Sequence, residues 1–182
     1  MRLAARLLGV RFPTFLKQRA LRRLADLTAE ALGRPAPSFA GRSYAERLAE
    51  YARFTSAEVS GALERGEDLR DTEARLHAGG YRLGARYRRL FRVATTREAM
   101  EVATLLYRAL GIELGHPAAG RIAVTRCYFA GFYSAATCRV VSSLDAGFLA
   151  GLTGGGRLVF TRRITEGADS CEGCFLPAEA PG

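Results

Sequence analysis

The chain has 182 residues and a mass of 19.7 kDa, of which 48% are apolar and 25% charged, the composition of an ordinary globular domain. That apolar content excludes intrinsic disorder and collagen-like repetition, and no apolar run approaches the length of a bilayer span. The formal net charge is +9, yet 26 of the 27 basic residues are arginine and Lys17 is the one lysine, a skew more typical of a GC-rich genome's codon usage than of a phosphate-binding surface.

Met1 to Val10 carry Arg2 and Arg6 where a signal peptide would need its apolar core, and no small-residue cleavage site follows. The expectation is a cytoplasmic protein. Leu16, Ala20, Leu24, Leu27 and Ala31 then recur at spacings of three or four, which predicts a helix over Thr14 to Leu32, stopped by Gly33, Pro35 and Pro37. Ser43 with Glu46 forms a capping box, followed by the apolar stripe Tyr44, Leu48, Tyr51 and Ala52. Thr55 and Glu58 repeat the signature, so the stretch to Arg65 reads as one helix or two short ones. Leu69, Leu76, Leu83, Tyr87 and Leu90 keep the helical period through Gly79, Gly80 and Gly84. Each glycine costs about 1 kcal/mol against alanine in an exposed helix, and the expected compensation is close packing of another element. Thr95 and Glu98 make a third capping box, with Met100, Ala103, Leu106 and Leu110 as its stripe and Gly111 as its end.

After His116 the period changes from helix to strand. Arg121 to Phe129 alternates, with Ile122, Val124, Arg126 and Tyr128 on one side and Ala123, Thr125, Cys127 and Phe129 on the other. Ser134 caps a helix whose Val141, Leu144, Phe148 and Leu152 turn inward, and Gly154 to Gly156 end it. Leu158 to Ile164 and Ser170 to Leu176 read as a hairpin around Thr165 to Asp169. The expected fold class is α+β: one domain over residues 1–182, with a helical part to 116, then a small, mainly antiparallel sheet with one inserted helix over 117–176, and a frayed tail from 177 to 182.

All four cysteines, Cys127, Cys138, Cys171 and Cys174, fall in the last third. A four-thiolate zinc site would need two close pairs, whereas Cys127 and Cys138 are ten residues apart and Cys171 and Cys174 point to opposite faces of a regular strand. No metal or other cofactor is therefore expected. Disulfides are disfavoured in a reducing compartment. What remains is buried free thiols, with room for one catalytic or ligand-contacting cysteine. Cys138, Ser142 and Asp145, spaced four and three, share one helix face beside an apolar stripe. That face is either solvated or buried; if it is buried, Asp145 needs a partner, and Arg126, Arg162 or Arg163 on the adjacent strands can supply one. His77 and His116 have no nearby acid and nucleophile and read as structural.

The segments C-Y-F-A-G-F-Y-S-A-A-T-C from Cys127 to Cys138, S-S-L-D-A-G-F-L-A-G-L from Ser142 to Leu152 and R-I-T-E-G-A-D-S-C from Arg163 to Cys171 resemble the C-terminal part of the L-2-amino-thiazoline-4-carboxylic acid hydrolase-like family. Y-R-L-G at Tyr81 to Gly84, in a helical first half, agrees with the family's order of elements. The resemblance implies hydrolytic opening of a cyclic amidine, with Cys127, Cys138, Asp145, Glu166 and Cys171 as the catalytic positions. Ser142 and Arg163 would contact the substrate, and Cys174 falls outside the pattern. In such a reaction a thiolate attacks the amidine carbon, an acid manages protons and an arginine orients the substrate carboxylate. A second, looser resemblance is to small-molecule-binding domains of the vinyl-reductase type, carried by the Cys138 to Gly151 helix, Gly167 to Cys171 and Phe175. It implies a ligand-binding or sensory module without chemistry of its own. Either way the expected partner is a small molecule. No specific nucleic-acid complex is expected, because no DNA-binding motif occurs, and the sequence leaves the oligomeric state open.

Overall fold

The computed structural model describes residues 13–118 and 120–176. The frayed tail and the absent signal peptide expected from the sequence lie outside the described residues. Four helices come first: α1 (Thr14–Leu32), α2 (Tyr44–Glu64), α3 (Arg70–Phe91) and α4 (Thr96–Ala109). Strands β1 (Ile112–Ala118) and β2 (Arg121–Cys127) follow, then α5 (Ala135–Thr153), then β3 (Arg157–Arg162) and β4 (Cys171–Leu176). The four strands form one antiparallel sheet in the order β1-β2-β4-β3. The chain is thus α+β, with the sheet after the helical half and α5 inserted between its two hairpins. Among the described residues no helix is long and apolar enough to cross a membrane.

The caps are where the sequence puts them. Ser43 and Thr95 each accept from the backbone three residues on, and Glu46 and Glu98 reach back to the cap backbone. Gly33 ends α1 in the left-handed region at φ 65°. The second capping signature, Thr55 and Glu58, starts nothing: α2 runs through it unbroken, because the buried Thr55 hydroxyl donates to the Tyr51 carbonyl of the preceding turn.

The three glycines of α3 have a tertiary purpose. Gly80 and Gly84 lie against the backbone of α5 at Leu144 and Phe148, and Gly147 and Gly151 of α5 lie against His77 and Tyr81 of α3. A methyl group at any of the four would overlap a carbonyl oxygen of the facing helix. The two helices therefore meet backbone to backbone, and α5 is held at the centre of the molecule with helices on one side and the sheet on the other.

Two features of the sheet correct the sequence reading. Strand β1 begins at Ile112, inside the stretch expected to be helical to 116, so the sheet has four strands rather than three. Pro117 is tolerated because β1 is an edge strand. Strand β2 does not alternate strictly either. Glu113 pairs with Arg126 while Leu114 pairs with Val124, so Thr125 is an extra residue, a β-bulge. The bulge turns Cys127 to the same side as Ile122 and Val124, and Arg126 outward to an ion pair with Glu113 at 3.6 Å. Ile112, Leu114, Ile122, Val124, Leu158 and Phe175 then join the helical stripes in one hydrophobic core.

Candidate functional site

A cleft of about 1100 Å³, open mouth included, enters the molecule between the helices and the sheet, and every helix as well as β1, β2 and β4 contributes to its wall. Most of the wall is apolar or aromatic. Leu24 of α1, Leu83 and Tyr87 of α3, Leu106 of α4 and Phe148 of α5 are among its hydrophobic side chains, with Leu110 just after α4. A smaller space of about 490 Å³ continues between α5 and the sheet, reaching Ile122, Leu158 and Phe160. Cys127, Cys138, Ser142, Asp145 and Cys171 line both. The polar face of α5 therefore looks into the cleft, with Ser142 buried and Cys138 and Asp145 partly buried.

Asp145 sits at the division between the two spaces. Its Oδ1 accepts a hydrogen bond from the Tyr107 hydroxyl at 2.7 Å, and burial pushes its carboxyl up to about 6, against the opposing pull of Tyr107 and of the Arg163 charge. The partner of this carboxylate is thus a tyrosine on α4 and none of the three arginines that the sequence offered. Arg126 pairs with Glu113, Arg162 faces Glu172 at 3.8 Å, and Arg163 stacks on the Phe160 ring at 4.4 Å with its Nε 4.0 Å from Glu166.

Two of the thiols are held in their neutral form. Burial raises Cys127 to about 11, despite the backbone N–H groups of Phe129 and Ala130 that face its sulfur. Burial also raises Cys171, whose Sγ accepts from the Ile164 N–H at 3.3 Å. The Cys174 side chain points to the other face of β4, away from the cleft, because β4 is regular and alternates. Among the described residues no three His, Cys, Asp or Glu side chains are placed to hold a metal ion, and all four cysteines are free.

The remaining expected residues divide. The Ser142 hydroxyl donates to the Arg139 carbonyl at 2.8 Å and so is spent on its own helix. Arg163 lines the smaller space. Glu166 lines neither; it lies on the exposed side of the short 3-10 turn Ile164–Glu166 and pairs with Arg139 at 2.8 Å. That turn contributes Thr165 to the cleft instead, with a buried hydroxyl that has no hydrogen-bond partner. The residues that the sequence did not point to are Tyr51, Tyr107, Tyr133 and Thr165, all on the wall of the cleft. A buried tyrosine needs an acceptor for its hydroxyl, and a buried aspartate needs a donor; that complementarity is the signal which pairs Tyr107 with Asp145 across 38 positions.

Comparison of the chain with protein-family models, curated proteins and solved structures gives no match.

Proposed function

We propose that the protein is a binding domain for a small, largely apolar molecule, which it takes into the cleft between α5 and the other helices without covalent chemistry of its own. The observation that carries this reading is the state of the groups on the cleft wall. Cys127 and Cys171 are pushed away from the thiolate form by burial, and a thiol attacks carbon efficiently only as thiolate. No histidine lines the cleft to activate a thiol. Asp145 gives one of its oxygens to Tyr107, and Glu166 is turned outward. An apolar cavity with few convergent polar groups is the usual form of a small-molecule site.

Hydrolysis of a cyclic amidine makes the opposite demands. It needs an ionised thiol, a free proton carrier and a cation for the substrate's carboxylate, and the Arg163 guanidinium is occupied by Phe160 and Glu166. The two readings separate in one experiment. The protein is incubated with L-2-amino-thiazoline-4-carboxylate while ring opening is followed, and in parallel its melting temperature is scanned against a panel of apolar small molecules. The expected result is no turnover and a stabilisation that saturates with at least one apolar compound, since a ligand selective for the folded state raises stability with its concentration. Turnover abolished by Cys127→Ser, Cys138→Ser or Cys171→Ser, the three thiols on the cleft wall, would overturn the binding reading in favour of the hydrolase.

A further inference from the structure

We infer that the molecule taken up is an amphipathic amine, whose ammonium group seats against Asp145 among aromatic rings and whose apolar body fills the rest of the cleft. The inference rests on the reading of the cleft as a ligand site and names the chemical class that fits it.

Asp145 is the one carboxylate on the cleft wall. Tyr107 satisfies one of its oxygens, and among the described residues it has no ion pair with any arginine, lysine or histidine. A carboxylate facing an apolar cleft, on which the Arg163 charge acts only from beyond ion-pair distance, is costly, and a cation bound in direct contact offsets that cost. Around it stand the rings of Tyr51, Tyr107, Phe129, Tyr133 and Phe148, packed edge to face or stacked at centroid distances of 5.5 to 5.9 Å. Aromatic faces beside one acid are the physical complement of an ammonium ion. The same wall already holds one: the Lys17 Nζ lies over the Tyr44 ring, 5.8 Å from its centroid. A hydrocarbon leaves the second oxygen of Asp145 unsatisfied, an alcohol leaves its charge without an ion pair, and a carboxylate ligand meets Asp145 as a like charge.

Octylamine, 1-octanol and octanoate, equal in length and different in head group, are titrated against the full chain by calorimetry. At neutral pH the amine is expected to bind at least about tenfold more tightly than the alcohol, and octanoate least. In Asp145→Asn the amine's advantage over 1-octanol disappears. Below about pH 6 the wild-type preference for the amine declines as Asp145 protonates, and alcohol binding does not change. The other groups facing Asp145 are Tyr51 from α2, Tyr107 from α4, Tyr133, Cys127 from β2, Cys138 from α5, Cys171 from β4 and Arg163. Burial pushes the three tyrosines, Cys127 and Cys171 further from that range. This pH series needs no variant and decides the matter if Asp145→Asn does not fold. Equal affinity for amine and alcohol, or an amine preference that survives in Asp145→Asn or is flat through pH 6, overturns the inference and leaves the ligand site standing. Failure of all three compounds to bind folded protein removes the ligand site itself.

Discussion

Asp145 concentrates the conflict between burial and charge in this molecule, and its stability cost is measurable. Its carboxyl is raised from an ordinary value of 3.8 to about 6, so the folded state holds a proton that the unfolded state has already lost. The favourable contribution is complete below about pH 4 and is lost as pH rises through about 6. Ionising Asp145 in the folded state costs about 3 kcal/mol more than in the unfolded chain. Asp145→Asn keeps an acceptor for Tyr107 and carries no charge. The variant is therefore expected to gain stability relative to wild type between pH 4 and pH 7, by up to about 3 kcal/mol, in urea unfolding followed by circular dichroism at a series of pH values. A constant difference across that range would mean that Asp145 is not ionised at a cost. Tyr107 explains why this residue was only half legible in the sequence. The spacing of Cys138, Ser142 and Asp145 puts them on one face, but what the face meets depends on a helix 38 residues earlier whose own stripe reads as plain core.

At the level of elements, the glycines of α3 and α5 are the feature the sequence poses as a question and the fold answers. Glycine in a helix is a local defect, and here Gly80, Gly84, Gly147 and Gly151 are the surface through which the helices touch. Gly84→Ala forces a methyl group into the Phe148 carbonyl of α5, and rigid backbone on both sides leaves no side chain to swing away. The expected loss exceeds the about 1 to 3 kcal/mol of ordinary overpacking. Gly131→Ala is the control, because nothing lies within 4 Å of the new methyl and the backbone there is not left-handed; it should change stability by less than about 0.5 kcal/mol. Comparable unfolding midpoints for the two variants would refute the backbone contact. Helix ends were legible for a related reason: caps are local chemistry, written in two residues three apart. The edge strand β1 and the bulge at Thr125 were not, since pairing partners decide both. Residues 112–116 carry no strand alternation of their own until β2 lies beside them, and only the register shift between Glu113 and Leu114 reveals that Cys127 faces the cleft.

The whole molecule carries its charge as a dispersed coat. Many of its arginines are engaged with acids on the surface, among them Arg22 with Asp26, Arg34 with Glu58, Arg42 with Glu50 and Arg65 with Glu67. Such exposed pairs add little stability, but they remove cations from any patch that would grip a polyanion. Among the described residues, Arg88, Arg89 and Arg92 stand together around a surface cleft at the α3 C-terminus beside Gly154. Arg88 and Arg89 lie in the last turn of α3, where cations oppose the helix dipole whatever the protein binds. A net charge of +9 still attracts nucleic acid at low ionic strength. We therefore expect weak association with duplex DNA at about 50 mM salt, without sequence preference, and its loss by about 200 mM, because affinity built on phosphate contacts falls steeply as counterions compete. Fluorescence anisotropy with two unrelated duplexes across that salt range tests this. A complex that discriminates between the duplexes and survives 200 mM salt would move the primary function from the interior cleft to the arginine surface.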